Sequence, residues 1–308
     1  MSPQVLIIGP LAYDDVSTPQ GTRSRVLGGS AAYASIAAAK HASTMLVSVC
    51  GADLGDDELQ VLRAASVDLS GLERRDGPTL RWSGAYSDDF SRSVVRNVDL
   101  GAVAGWRPSV PAAGIDAAFV FLTNTAPAIQ AVTLDQLHPQ VTLLDTMDEW
   151  IAGHRSALDR VIARVTVVSV NERELRLISG EGDLARGAAA VLATGPRAVI
   201  VKRGARGASL FSAGGEFTVP AYPAATRDPT GAGDALGGAF VGRLARTGST
   251  GDEAYRDALI AGVAAASVAV ESFSVDALCR ATLGELEARA AVLRARSGSR
   301  TPPVAPAG

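Results

Sequence analysis

The chain has 308 residues, of which 47% are hydrophobic and 20% charged, so it is long enough for one large α/β domain or two ordinary ones. Its 29 basic and 32 acidic residues give a net charge of −3 without a dense basic run, which argues against a nucleic-acid partner. The 2 cysteines and 3 histidines lie too far apart in the sequence to indicate a disulfide framework or a zinc site.

The N-terminal segment predicts a first strand rather than an export signal. Its apolar run, VLIIG at 5–9, is short and follows no basic segment. Later apolar runs, such as ALIAGVAAASVAV at 258–270, are shorter than a helix that spans a bilayer. We therefore expect a soluble, cytoplasmic protein without a membrane partner.

Short apolar strands recur along the chain, with helical stretches between many of them. The predicted strands lie at 5–9, 45–51, 118–124, 141–146, 165–171 and 198–204. Continuous apolar strands are typical of a parallel sheet that is covered on both faces. Two of the stretches between them, 30–42 and 184–195, are rich in the helix former alanine. The pattern predicts an α/β fold, in which ligands bind at the carboxyl ends of the strands.

One region departs from this rhythm. The sequence at 79–100 is rich in arginine, serine and aromatic residues and alternates in part, which predicts exposed antiparallel strands outside the central sheet. With residues 13–29 it is expected to form a small sheet that covers the strand ends as a lid, although a plain surface hairpin fits as well. We expect one domain over 1–296, with lid segments at about 13–29 and 79–107, and a disordered Pro- and Gly-rich tail at 297–308.

A glycine-rich turn carries the main chemical signal. In DPTGAGDALGGAF, at 228–240, Gly231 and Gly233 allow close approach of the backbone to a ligand, and the apolar run after them predicts a helix. Free amides at a helix start favour anions such as phosphate, and Asp234 lies among them. A simple helix cap is the alternative role for this carboxylate. The chain has no P-loop motif, and no G-x-G-x-x-G follows its first strand, which argues against a nicotinamide-dependent oxidoreductase.

This turn closely resembles the second signature of the ribokinase-like carbohydrate kinases, also called the phosphofructokinase-B family. The resemblance extends over most of the chain, from about residue 5 to 278. It implies the ribokinase-like three-layer α/β fold, with a mostly parallel central sheet and a small β-sheet lid. It also implies an enzyme that uses ATP and Mg²⁺, with K⁺ as a further candidate ion near the turn, and a homodimer through the lid as a candidate assembly.

The resemblance assigns a role to each motif in turn. Asp234 corresponds to the catalytic base, and Gly231, Ala232 and Gly233 to the turn whose amides hold the phosphoryl oxygens. Asp14 corresponds to the aspartate that holds substrate hydroxyls, with its neighbour Asp15 as the alternative, and Gly28 and Gly29 correspond to a hinge that contacts substrate. The residues implied at the nucleotide and its metal are Asn171, Lys202, Gly204, Gly207 and Thr230 for the cofactor and Glu174 for Mg²⁺ through water.

Substrate identity is the open part of this prediction. Tyr33 stands where the first signature usually has asparagine, so the hydroxyl pattern that is recognised differs from that of ribose. Asn124 follows a predicted strand and is expected at the substrate, while Asp145 and Asp148 follow another without a defined role. The aromatic residues in and near the lid either stack on the substrate or form the lid's own core; they are Trp82, Tyr86, Phe90 and Trp106. The nearby arginines bind a substrate phosphate or are solvated charges; they are Arg23, Arg25, Arg81, Arg92 and Arg96.

The sequence thus predicts an ATP-dependent kinase for a hydroxyl, with a primary one favoured, of a sugar, nucleoside or related polyol. Two alternatives stay open. One is a nucleoside kinase specifically, and the other is a catalytically silent relative that serves as a binding or regulatory protein.

Overall fold

A computed structural model describes residues 3–90 and 92–300. Within these ranges the strands form one ten-stranded sheet and one four-stranded sheet. The strands of the large sheet are β1 (Val5–Ile8), β4 (Thr44–Cys50), β5 (Val67–Arg74), β8 (Phe119–Leu122), β9 (Val141–Asp145), β10 (Val167–Asn171), β11 (Ala198–Lys202), β12 (Ala208–Ser212), β13 (Gly215–Val219) and β14 (Gly298–Arg300). Their order is β14-β13-β12-β11-β10-β9-β8-β1-β4-β5, and the pairs from β5 to β11 are parallel.

Helices cover both faces of the large sheet, which explains why its central strands are mostly apolar. The helices are α1 (Ser30–Ala39), α2 (Asp56–Ala64), α3 (Pro127–Leu134), α4 (Asp148–Gly153), α5 (Arg155–Ile162), α6 (Glu172–Ser179), α7 (Leu184–Leu192), α8 (Ala232–Thr247), α9 (Asp252–Ala269), α10 (Asp276–Arg280) and α11 (Leu283–Arg296). The hydrophobic core on one face includes α1, α8, α9 and α11, and the core on the other includes α3 to α7. The predicted three-layer α/β fold is therefore confirmed.

The small sheet contains β2 (Ala12–Thr18), β3 (Gly21–Gly28), β6 (Leu80–Tyr86) and β7 (Ser93–Asp99), in the order β3-β2-β6-β7. β6 and β7 pair antiparallel as predicted, but β2 pairs parallel with β6. The two predicted lid segments thus join in one sheet and do not form an isolated hairpin. We refer to this sheet as the lid.

The C-terminal residues differ from the predicted disorder. Residues 298–300 form β14, which pairs antiparallel with β13, because backbone hydrogen bonds to that strand are available at the edge of the sheet. The rest of the predicted tail, 301–308, lies outside the described residues.

Close packing of α8 against α1 determines where the glycine-rich turn lies. A β-carbon added at Gly238 would come 2.1 Å from the carbonyl oxygen of Ala34, so only glycine fits at this crossing. The alanine-rich sequence of α1 keeps the opposite side of the contact equally small.

We expect Gly238→Ala to lower the free energy of unfolding by about 1–3 kcal/mol, because the added methyl group forces the two helices apart. Gly153→Ala is the matched control, since a β-carbon there would meet nothing within 4 Å. Thermal and urea unfolding of the two variants test this. Equal stability of both would contradict the packing argument.

Candidate active site

A cavity of about 570 Å³ lies where the lid meets the carboxyl ends of the central strands. Pro10, Asn124 and Met147, which follow β1, β8 and β9, contribute to its lining. The predicted location of a ligand site at these strand ends is therefore matched by a cavity of the size that small molecules occupy. Most of the remaining wall is apolar and comes from Leu80, Trp82, Val98, Leu100, Val103, Trp106, Ile129, Val132 and Trp150.

Asp234 lies in the first turn of α8 and lines this cavity. Gly231 precedes the helix with a positive φ of 74°, a conformation that favours glycine. The first hydrogen bond of the helical ladder runs from the Ala235 amide to the Gly231 carbonyl at 2.8 Å. The amides of Gly233 and Asp234 precede this ladder and are candidates to bind an anion, and the Asp234 amide also interacts with its own carboxyl group, which lowers the pKa of that group. The Ala232 amide, which was grouped with them, donates instead to the Pro229 carbonyl at 3.2 Å.

Two carboxyl groups at the cavity have raised pKa values. The pKa of Asp234 is raised to about 7 by burial, with a further contribution from the charge of Asp145. The pKa of Asp14 is also raised to about 7, again by burial, although the Gly29 amide opposes the shift from 3.4 Å. A carboxyl group with a pKa near neutrality is suited to accept a proton during a reaction.

The two glycines of the first signature provide room for Asp14. A β-carbon at Gly28 would lie 1.9 Å from Oδ2 of Asp14, inside the van der Waals envelope of the carboxylate. Gly29 has a φ of 81°, and a β-carbon there would come 2.6 Å from the Pro10 carbonyl oxygen. Both positions therefore require glycine, and the diglycine sets how deeply Asp14 is buried.

Tyr33 lies beneath the glycine-rich turn. Its ring occupies the space that a side chain at Gly231 would need, since a β-carbon there would come 2.3 Å from the ring. The side chain is 1% exposed, and among the described residues its hydroxyl has no hydrogen-bond partner. Buried hydroxyl groups are normally paired, so this one is available to a bound ligand.

Asn171 and Glu174 form a reciprocal cap at the start of α6. The Asn171 amide donates to Glu174 Oε2 at 2.7 Å, and the Glu174 amide donates to Asn171 Oδ1 at 2.8 Å. Burial raises the pKa of Glu174, against the opposing charge of Lys202. In the part of the chain that the structure describes, no cluster of three or more His, Cys, Asp or Glu side chains is arranged to hold a metal ion directly.

The other predicted site residues are distributed around the cavity. Asn124 lines it, but its amide group is engaged: Nδ2 donates to Met147 Sδ, and Oδ1 accepts from Trp150 Nε1, both at 3.0 Å. Thr230, predicted at the cofactor, also lines it, and its hydroxyl lies 3.0 Å from that of Tyr86 in the lid.

Gly204 and Gly207 lie in the turn after β11, away from the cavity lining. A β-carbon at Gly207 would come 2.0 Å from the Val219 carbonyl oxygen, so this glycine permits close approach of the turn to the end of β13. Lys202, at the end of β11, pairs with Asp145.

The lid aromatics differ in whether they line the cavity. Trp82 and Trp106 line the cavity, and the buried Trp106 also donates to Glu73 Oε2 at 3.1 Å. Phe90 lies in the turn before β7 and does not line the cavity. None of the five predicted lid arginines belongs to the described lining of the cavity, although Arg107, at the end of the second predicted lid segment, does.

Sequence reasoning missed much of the apolar wall. Leu100, Val103, Ile129 and Val132 come from segments that carry no recognisable motif, and only the fold brings them together.

Sequence reasoning also missed Asp228, a buried residue whose Oδ1 accepts from the Thr230 amide at 2.9 Å. Oδ2 of Asp228 has no partner among the described residues. Its position at the start of the signature was the available signal.

Comparison with known proteins agrees with this geometry. The pfkB family carbohydrate kinase model matches residues 5–281. A cytidine kinase from Thermococcus kodakarensis is 29% identical over 250 residues, which cover 79% of this chain and 88% of the relative.

Two solved structures share the fold at low identity. A nucleoside kinase from Burkholderia thailandensis, in complex with inosine, is 18% identical with a TM-score of 0.74, covering 94% of this chain and 98% of its own. An Escherichia coli protein assigned as a ribokinase II, in complex with ATP and Mg²⁺, is 22% identical with a TM-score of 0.70. The match covers 93% of this chain and 98% of that structure's chain. Within 3–90 and 92–300, no helix is both long and apolar enough to cross a bilayer. The family match over nearly the whole chain establishes that this protein belongs to the pfkB family of carbohydrate kinases, phosphotransferases with an alcohol group as acceptor.

Proposed function

We propose that this enzyme transfers the γ-phosphoryl group of ATP to a sugar hydroxyl of a nucleoside, with Asp234 as the general base. The observation that carries the proposal is that one cavity is lined both by carboxylates and by an extended apolar surface. Asp14 and Asp234 provide carboxylates for sugar hydroxyls, while Trp82, Trp106 and the aliphatic wall provide an apolar surface for a flat base. The similarity to a cytidine kinase supports the same substrate class.

A free sugar fits this cavity less well. Its hydroxyl groups would lie against the apolar wall, and a buried polar group without a partner costs about 1–3 kcal/mol. A nucleoside directs its hydroxyls to one side and a stacking surface to the other. The lining therefore favours the nucleoside alternative over a free sugar or polyol.

The proposed mechanism uses the residues at the start of α8. Asp14 accepts hydrogen bonds from substrate hydroxyls and orients the reacting one. As that oxygen forms its bond to the γ-phosphorus, its proton passes to Asp234, and the bond between the γ-phosphorus and the bridging oxygen breaks to release ADP. The amides of Gly233 and Asp234 stabilise the charge on the transferred group. Holding these groups in place provides most of the catalysis, because phosphoryl transfer needs little covalent help from the protein.

The ion sites that the family implies fit the residues present. Mg²⁺ retains several waters and needs few direct carboxylates, and Glu174 is buried beside Asp148, whose Oδ1 has no partner among the described residues. Asn171 and Glu174 would hold the ion through water, where it would neutralise phosphate charge. The unpartnered Oδ2 of Asp228 is our candidate ligand for K⁺. A homodimer through the lid stays a prediction.

The silent-homologue alternative loses support from the same geometry. Asp234, with its pKa raised to about 7, is suited to accept a proton, a property that a protein that only binds a partner does not need.

We expect Asp234→Asn to lower kcat at least about a thousandfold while ATP affinity changes little, because the variant lacks the base but keeps the amides. An ADP-release assay with ATP and Mg²⁺ against nucleosides, pentoses, hexoses, sugar phosphates and inositols provides the measurement. Asp15→Asn is the matched control, a lid carboxylate that accepts from the Arg25 amide and lies outside the cavity lining. Near-normal turnover of the Asp234 variant would show that another group is the base.

The raised pKa of Asp234 also predicts a pH-dependent effect on stability. The folded protein retains this proton up to about pH 7, whereas the unfolded chain loses it near about pH 4, so stability falls as the pH rises through this window. Asp234→Asn should therefore unfold at a higher temperature than the wild type near about pH 8, and the difference should disappear near about pH 4. Calorimetry of the ligand-free proteins checks this, and a variant less stable than the wild type at the higher pH would contradict it.

The stacking role of Trp82 is tested through Gly84, two residues along β6. A β-carbon at Gly84 would lie 2.3 Å from Cη2 and 2.5 Å from Cζ2 of Trp82, so Gly84→Ala displaces the indole without removing it. We expect Gly84→Ala and Trp82→Ala to raise KM for nucleosides about tenfold more than KM for free ribose.

Ser83→Ala is the control for these lid variants, because its side chain lies on the opposite face of β6 and outside the cavity lining. An equal loss with nucleoside and ribose would count against stacking. That outcome would not contradict the proposed kinase reaction itself.

A further inference from the structure

A buried ion pair joins the ends of two strands that are not neighbours. The ammonium of Lys202, at the end of β11, lies 2.8 and 2.7 Å from the two carboxylate oxygens of Asp145, at the end of β9. β10 lies between these strands, so the lysine side chain crosses over it to reach its partner. Only 19% of the Lys202 side chain and 5% of the Asp145 side chain are exposed. A flexible lysine becomes fixed in this way only when a partner offsets its lost rotamer freedom.

Asp145 is itself held in place. Its Oδ1 accepts from the Thr146 amide at 2.9 Å, and its main-chain carbonyl accepts from Nε2 of Gln130 at 3.0 Å. The same fully buried amide nitrogen donates to the Thr123 carbonyl, also at 3.0 Å, which ties the end of β9 to the end of β8. The carboxylate therefore presents a fixed acceptor to the lysine.

The other end of the ion pair lies at the start of α8. A β-carbon at Gly233 would lie 3.2 Å from Nζ of Lys202. The ammonium is thus next to the amides that precede the helical ladder, and both act on an anion at the same place. Burial alone would lower the pKa of Lys202, but the carboxylates of Asp145 and Glu174 raise it to about 12, so the side chain stays charged.

We propose that Asp145 is a positioning residue for phosphoryl transfer, which holds the ammonium of Lys202 at the start of α8, where the transferred group develops its charge. The inference rests on the proposed kinase function. Lys202 acts on the phosphoryl oxygens directly. Asp145 acts through Lys202, and its charge also faces Asp234 together with those of Lys202 and Asp14.

The test compares Asp145→Asn, Lys202→Met and the double variant by steady-state kinetics and by calorimetric binding of a non-hydrolysable ATP analogue. Asp145→Asn should lower kcat about tenfold to a hundredfold without weakening analogue binding, because it frees the lysine but removes a negative charge from an anion site. Lys202→Met should lower kcat by a similar factor and weaken analogue binding about tenfold. The kcat of the double variant should lie within about threefold of the kcat of the worse single variant, because both changes remove the same contact.

A purely structural role would not produce two further effects. Asp145→Asn should move the acid limb of kcat/KM to lower pH, because the charge of Asp145 raises the pKa of Asp234. Asp145→Glu should recover part of kcat, because it restores a carboxylate partner for the lysine. Asp135→Asn is the matched control, since it removes the exposed ion pair that Asp135 makes with Arg164 at 2.7 Å and should leave all these values unchanged.

The proposal is overturned if the reductions in kcat of the two single variants multiply in the double variant. It is also overturned if Asp145→Asn keeps kcat within about threefold of the wild type. If Asp145→Asn does not fold, kcat and analogue binding are compared between Asp145→Glu and Lys202→Met instead. A wild-type enzyme that releases no ADP with any acceptor would contradict the proposed function instead. Analogue binding would then still show whether Lys202 lies at the anion site.

Discussion

The candidate site depends on how closely the start of α8 approaches its neighbours. Gly231 lies against the ring of Tyr33, Gly233 against the ammonium of Lys202, and Gly237 against the ring of Phe121. A side chain at Gly231 or Gly237 would push the helix away from the strand ends, and one at Gly233 would displace the ammonium of Lys202. The free amides and Asp234 would then no longer face the cavity. The spacing of the glycines is therefore a packing requirement first, and the anion site is its consequence.

This close approach has an electrostatic cost. It brings Asp234 near Asp14 and Asp145, and burial then raises the pKa of Asp234 to about 7. The carboxylates would be easier to bury as amides or apolar groups, so the arrangement works against the stability of the ligand-free fold. Lys202 offsets part of this cost, since its charge lowers the pKa of Asp234. The same destabilised carboxylate is a stronger proton acceptor than an exposed aspartate, and this is the property that the proposed reaction uses.

The sequence predicts the central part of this arrangement because local rules determine it. Apolar strands reveal the parallel sheet, and the Gly-rich turn reveals the helix start with its carboxylate. The parallel pairing of β2 with β6 could not be predicted, because the strands are distant in the chain and no short turn fixes their register. The hydrogen bond from the Ala232 amide to the Pro229 carbonyl could not be predicted either, since it depends on the φ and ψ angles within one turn. The apolar wall could not be predicted for a third reason. Its residues come from the lid, from the segment at 98–107, from α3 and from α4, and only tertiary packing brings them together.

Two contacts connect the lid to the segment that leads into α8, and they connect the proposed substrate site to the proposed base. The hydroxyl of Tyr86, at the end of β6, lies 3.0 Å from that of Thr230. The hydroxyl of Thr18, at the end of β2, donates to the Arg227 carbonyl at 2.9 Å. Both lid strands thus contact the turn that carries Asp234, and β6 also carries Trp82. Under the proposed function, a nucleoside that stacks on Trp82 would hold the lid against this turn, and the lid would exclude water from Asp234.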